Sequence, residues 1–158
     1  MRVYTRIMDS VSCYCTNARR AARALTLFYD EAMAQHRLKV TQFSLLRAVE
    51  RHGEPNFTKL ATATGLDRST LGRNLRLLEQ LGLVAFYPGD DQRDRRVALT
   101  QEGQARIRAA ARAWRVVQGR IGEVLGKDAQ RFMNVARRLA DLAGGRAFES
   151  FRRQDSTG

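Results

Sequence analysis

Apolar residues recur at spacings of three and four along the N-terminal segment: Met8, Val11, Cys15, Ala18, Ala22, Leu25, Tyr29 and Ala32. That period lays them along one stripe of a long helix, with Arg19, Arg20 and Arg23 mostly off it. So many small residues on one stripe suit close packing against another helix, from this chain or from a second copy. The helical period resumes over about 41 to 51, with Phe43, Leu45, Leu46 and Val49, until Gly53 and Pro55 stop it.

"FTKLATATG" then reads as a short helix closed by Gly65, and "LDRSTLGRNLRLLEQLG" as another, running from 67 to 81. Asp67 is a good N-cap for it, and Leu71, Leu75 and Leu78 supply its buried face. Two short helices joined by a glycine-containing turn are the helix-turn-helix signature. From Leu83 the period changes. "LVAFY" and "RVALT" are rich in β-forming residues, and Pro88 and Gly89 turn the chain between them, which predicts a β-hairpin. After Thr100 the helical period returns, first through Ile107, Ala111, Trp114, Val117, Ile121 and Leu125, then through Phe132, Val135, Leu139 and Leu142. The fold expected is mainly α with a small β-wing. It is a single domain over 1–158, with a winged helix-turn-helix lobe at 38–100, flanking helices at 8–36 and 101–143, and a polar tail at 144–158 to which no structure is assigned.

Charge changes the picture by suggesting a partner. Lys and Arg number 28 against 16 Asp and Glu, a formal net charge of +12 carried almost wholly by arginine, which favours a polyanion. The surplus is spread over the whole chain and is smallest between 58 and 99, so the placement of charge carries more weight than its total. With 2 cysteines there is no disulfide framework, and no apolar run is long enough to span a membrane. The expectation is a soluble, cytoplasmic protein without a membrane partner.

The helix from 67 to 81 turns a donor-rich face away from its leucines: Arg68, Ser69, Gly72, Arg73 and Arg76, with Thr70 and Asn74 on the flanks. A helix entering the major groove needs short hydroxyl side chains near its N-terminus and Arg or Asn further along for bidentate contacts. Gly72 costs about 1 kcal/mol relative to alanine in mid-helix, so close approach by another backbone is a motive for it. In the hairpin tip, "DDQRDRR", Arg93 or Arg95 is placed to enter a minor groove, with Asp91 or Asp94 bracing the guanidinium.

Three stretches, "TQFSLL", "LATATGLDRSTLGRNLRLLEQLGLV" and "DDQRDRRVALTQEG", together resemble the MarR family of dimeric winged helix-turn-helix regulators, over roughly residues 10 to 142. The resemblance implies double-stranded DNA and a second copy of the chain as partners. Recognition would pass through the helix at 67 to 81, wing contact through Arg93 and Arg95, and dimerisation through the first and last helices. A palindromic operator and a repressor's role follow from the same likeness.

The resemblance also suggests two kinds of signal. Organic-hydroperoxide-sensing members place a reactive cysteine where this chain has Cys15, and a tyrosine where it has Tyr29, whereas a second tyrosine position holds Arg19. Cys15 is thus a candidate redox sensor or a small core residue. Cys13, two positions away, points to nearly the opposite side of a continuous helix, so no disulfide closes between them while the helix persists. Other members respond to small aromatic compounds, for which Trp114, Phe43, Tyr29 and Arg47 are candidate lining residues.

Materials for catalysis are thin. His36 and His52 sit near helix ends without metal-ligand spacing, and no nucleophile arrangement, phosphate loop or dinucleotide fingerprint appears. Neither an enzyme nor a metal or cofactor site is expected. The alternatives are a sequence-nonspecific architectural DNA-binding protein, for which the net charge is reason enough, and a protein-interaction module built on a winged helix.

Overall fold

A computed structural model describes residues 13–89 and 94–144. Its first helix, α1 (Tyr14–Met33), buries only Met33 within the chain. The apolar stripe is therefore real in period and uncovered along most of its length: Cys15, Ala18 and Ala22 are exposed, and Leu25, Tyr29 and Ala32 are half-buried. A short 3-10 turn (Ala34–His36) leads to Arg37, and then to α2 (Val40–His52). Asp30 fastens this junction. Its Oδ1 accepts from the Val40 N–H at 2.7 Å, and its Oδ2 lies 3.3 Å from the Lys39 ammonium.

The helix-turn-helix consists of α3 (Phe57–Thr64) and α4 (Arg68–Gln80). Each begins on a side-chain cap, Asn56 accepting from the Lys59 N–H at 2.9 Å and Asp67 from the Thr70 N–H at 2.9 Å. The end of α4 is a Schellman turn: Gly82 takes a φ of +69°, its N–H donates to the Glu79 carbonyl, and the Leu83 N–H reaches the Leu78 carbonyl. Strand β1 (Val84–Pro88) follows at once and pairs antiparallel with β2 (Arg95–Leu99), Val84 opposite Leu99 and Pro88 opposite Arg95. The free edge of β2 is partly covered, because the Val97 N–H donates to the Pro55 carbonyl. Hence the wing is stitched to the loop that precedes α3.

Helix α5 (Gln101–Leu125) starts directly from the wing, and a 3-10 turn (Gly126–Asp128) joins it to α6 (Ala129–Gly144). The core sits where α2, α3, α4, the wing and the first half of α5 meet. Met33, Leu46, Leu60, Leu71, Leu75, Leu78, Leu83 and Val97 are fully buried there. Each such side chain contributes about 1.5 to 3 kcal/mol of transfer free energy. The flanking helices are covered far less: Val124 is 87% exposed, and Phe132, Met133, Val135, Leu139 and Leu142 of α6 all face outward.

Candidate nucleic-acid interface

With Leu71, Leu75 and Leu78 buried, α4 has no freedom to rotate, and the opposite face is fixed outward. Arg68, Ser69, Arg73 and Arg76 are exposed on it, as the sequence predicts. Asp67 organises the first turn. Its carboxylate accepts both the Thr70 N–H and the Thr70 hydroxyl, the latter at 2.7 Å, and these bonds, helped by Arg73, hold its pKa below the ordinary 3.8. The Arg73 guanidinium in turn donates to the Thr70 hydroxyl oxygen at 3.4 Å. Thr70 is consequently tied inward, and Ser69 and Arg73 present the freer donors.

Arg68 leans the other way, its Nη2 donating to Thr58 Oγ1 at 3.0 Å. Thr58 and Lys59, exposed at the start of α3, therefore extend the same surface. Neither stands out in the sequence.

The wing is placed beside this face by stacked rings. Phe57 of α3 and Phe86 of β1 stack at 5.9 Å between centroids, and the Arg95 guanidinium lies 4.9 Å over the Phe86 ring. Such a cation over an aromatic face is held by the ring quadrupole. Arg95 is exposed, and the backbone carbonyl of Asp94 closes the hairpin by accepting from the Gly89 N–H. Arg93 and Asp91 lie outside the described residues.

Two positions on α4 have surroundings that the helical period alone does not give. Gly72 is not there to admit another part of the protein, because a Cβ at that position would meet only Phe57 Cε1, at 4.0 Å. Asn74, on the flank of the donor face, is half-buried and lines a cavity of about 630 Å³ framed by α2, α3, α4 and α5. Phe43, Trp114 and Arg47 line that cavity as anticipated, with the Phe43 and Trp114 rings stacked at 6.3 Å. Arg51, Arg115 and Thr64 join them, residues that no local pattern singles out. Tyr29 does not; its hydroxyl donates to Gln118 Oε1 across the α1 and α5 contact, and burial pushes its pKa up.

The cysteines also sit differently from the continuous-helix expectation. Cys13 precedes α1 in extended conformation (φ −74°, ψ 115°), and both thiols are exposed. Hydrogen bonds from the Thr16 side chain and backbone hold the Cys13 thiol below its ordinary 9.0. Among the described residues no group of His, Cys, Asp and Glu is arranged to hold a metal ion, and no helix is long and apolar enough to cross a membrane.

Comparison with known proteins agrees with this geometry. A model of the MarR family matches residues 37–96. The transcriptional regulator MosR of M. tuberculosis, solved in complex with DNA, is 35% identical, with 84% of this chain and 97% of that one covered and a TM-score of 0.79. The transcriptional repressor CouR, bound to a 23-mer DNA duplex, is 25% identical over 84% of this chain and 94% of its own, with a TM-score of 0.72. The PcaV transcriptional regulator of Streptomyces coelicolor, in complex with its natural ligand, shares the fold at 24% identity, 84% and 95% coverage and a TM-score of 0.77. No curated protein sequence matches. An outward donor face on α4, a wing stacked beside it and a MosR likeness that runs through both agree: the chain belongs to the MarR family of DNA-binding transcriptional regulators.

Proposed function

We propose that the protein is a homodimeric, cytoplasmic repressor that binds a near-palindromic operator and is released from it by a small-molecule signal. The observation that carries this is the exposed face of α4, where Arg68, Ser69, Arg73 and Arg76 stand beside the wing and are left exposed by the described residues. Arg73 and Ser69 would read base edges in the major groove, Arg68, Arg76 and Thr70 would hold the strands, and the wing, through Arg95 and Arg93, would enter the minor groove. Asp94 and Asp91 would brace those wing arginines. That MosR was solved in complex with DNA supports double-stranded DNA as the partner.

Dimerisation is supported by the uncovered apolar residues of α1, α5 and α6, which include Leu27, Phe28, Val124, Leu139 and Leu142. A second copy covers them without cost to the DNA-binding lobe. The cavity beside Asn74 is the effector site. Its stacked aromatics and the cations of Arg47, Arg51 and Arg115 suit a small aromatic acid. A second signal is favoured by the exposure of Cys15: oxidation of its thiol by an organic hydroperoxide, which would release DNA.

Fluorescence anisotropy tests the proposal, using a duplex from upstream of the protein's own gene and a scrambled duplex of equal length. The expected result is a preference of roughly 10³-fold or more for the upstream duplex. Equal affinity for both, lost steeply with salt, would instead support the architectural alternative that the net charge of +12 favours.

A further inference from the structure

Among the described residues nothing requires position 72 to be glycine. Its backbone is ordinary helix, it sits in the middle of α4, and a Cβ there would meet a single atom, Phe57 Cε1, at 4.0 Å, an ordinary van der Waals distance. Glycine at such a place lowers helix stability against alanine. The space above it is bounded by two cations. Arg68, Gly72 and Arg76 are spaced by four, so they form one ridge along the flank of α4 that faces the start of α3. The two arginines stand about 12 Å apart along the axis, the rise of three to four nucleotides of one strand. Arg68 already leans toward α3, bonded to Thr58 Oγ1. The ridge is thus a half-buried turn of backbone without a side chain, between two guanidinium groups and with the Phe57 ring on one side, and it lies away from the Ser69 and Arg73 side, where base edges would be read.

We infer that Gly72 is a close-approach position for the DNA sugar-phosphate backbone. One strand runs along the ridge, with Arg68 and Arg76 taking phosphates on either side and the strand resting on the Cα of Gly72. This rests on the DNA-binding reading of α4 and adds a residue whose contribution is the absence of a side chain. A methyl group there would hold the strand off by more than an ångström and lengthen both arginine contacts at once, while leaving the free protein better off.

The test compares the parent with Gly72→Ala by thermal unfolding and by anisotropy titration. Two duplexes are used: the site that the parent enriches from a randomised DNA pool, and a scrambled control of the same length. The expected variant unfolds at the parent's temperature or above and binds both duplexes about tenfold or more weakly, since a strand backbone is common to every sequence. Binding at the parent's strength on both duplexes would overturn the inference. So would a lower unfolding temperature, which would mean that the protein itself requires the glycine, or a loss confined to the selected site, which would place a base edge over Gly72. If the parent bound neither duplex, the DNA-binding reading would fail first and take the inference with it, an outcome visible before any variant is made.

Discussion

Thr100 shows how much one short side chain can hold. Its hydroxyl donates to the Gly82 carbonyl at 2.6 Å and accepts from the Gly103 N–H at 3.0 Å, while its own N–H donates to the Leu83 carbonyl at 3.1 Å. The end of α4, the wing and the long helix α5 therefore meet at one residue. The contact is so close that position 103 has no room for a side chain, because a Cβ on Gly103 would stand 2.0 Å from the Leu83 carbonyl oxygen. Gly103→Ala should lower stability by about 1 to 3 kcal/mol, the usual cost of forcing atoms into a filled site. Urea unfolding measures this directly, and an unchanged midpoint would mean that the wing and α5 can part at no cost. Caps such as Asp67 are legible in the sequence because their chemistry is local, one side chain answering an N–H three residues on. What surrounds Asn74 is not legible in the same way. A helical wheel puts it on the flank of the donor face, but only the position of α2 and α5 decides that this flank borders a cavity.

At the scale of elements, periodicity locates the α-helices and both strands of the described chain, but not the two 3-10 turns, and it does not show that Cys13 is extended and that α1 starts only at Tyr14. What it leaves open is which stripe faces which partner. The stripe of α4 is buried by its own chain, whereas those of α1 and α6, equally regular, are mostly exposed. The difference arises from long-range packing: the lobe has a core for α4 to close, and α6 extends beyond it. A second copy of the chain is the natural cover. Leu139→Asp, placing a charge in the middle of the α6 stripe, should convert a dimer into a monomer in sedimentation equilibrium and weaken DNA binding, with no loss of the lobe's helical signal. A variant that stayed dimeric would move the subunit interface elsewhere. The cavity is the element-scale feature least visible in sequence, since its walls come from four helices and no run of residues encodes its volume.

For the whole molecule, the net charge of +12 suggests a polyanion without saying where it binds, and the fold offers an exposed donor face on α4. Buried leucines fix the face of α4, the Phe57 and Phe86 stack fixes the wing beside it, and the uncovered helices provide the symmetry by which two such faces would act together. A dimer would hold its recognition helices about one DNA turn apart, near 34 to 36 Å, and so select a two-fold symmetric site. The most direct measurement is enrichment of binding sites from randomised DNA by the parent and by Arg73→Ala. The parent should enrich a near-palindrome with half-sites about one turn apart. The variant should keep that spacing while losing preference at one position in each half-site, a discrimination of about 1 to 3 kcal/mol. Enrichment of no motif by the parent, or of the same motif with undiminished preference by Arg73→Ala, would contradict sequence reading by the exposed face of α4.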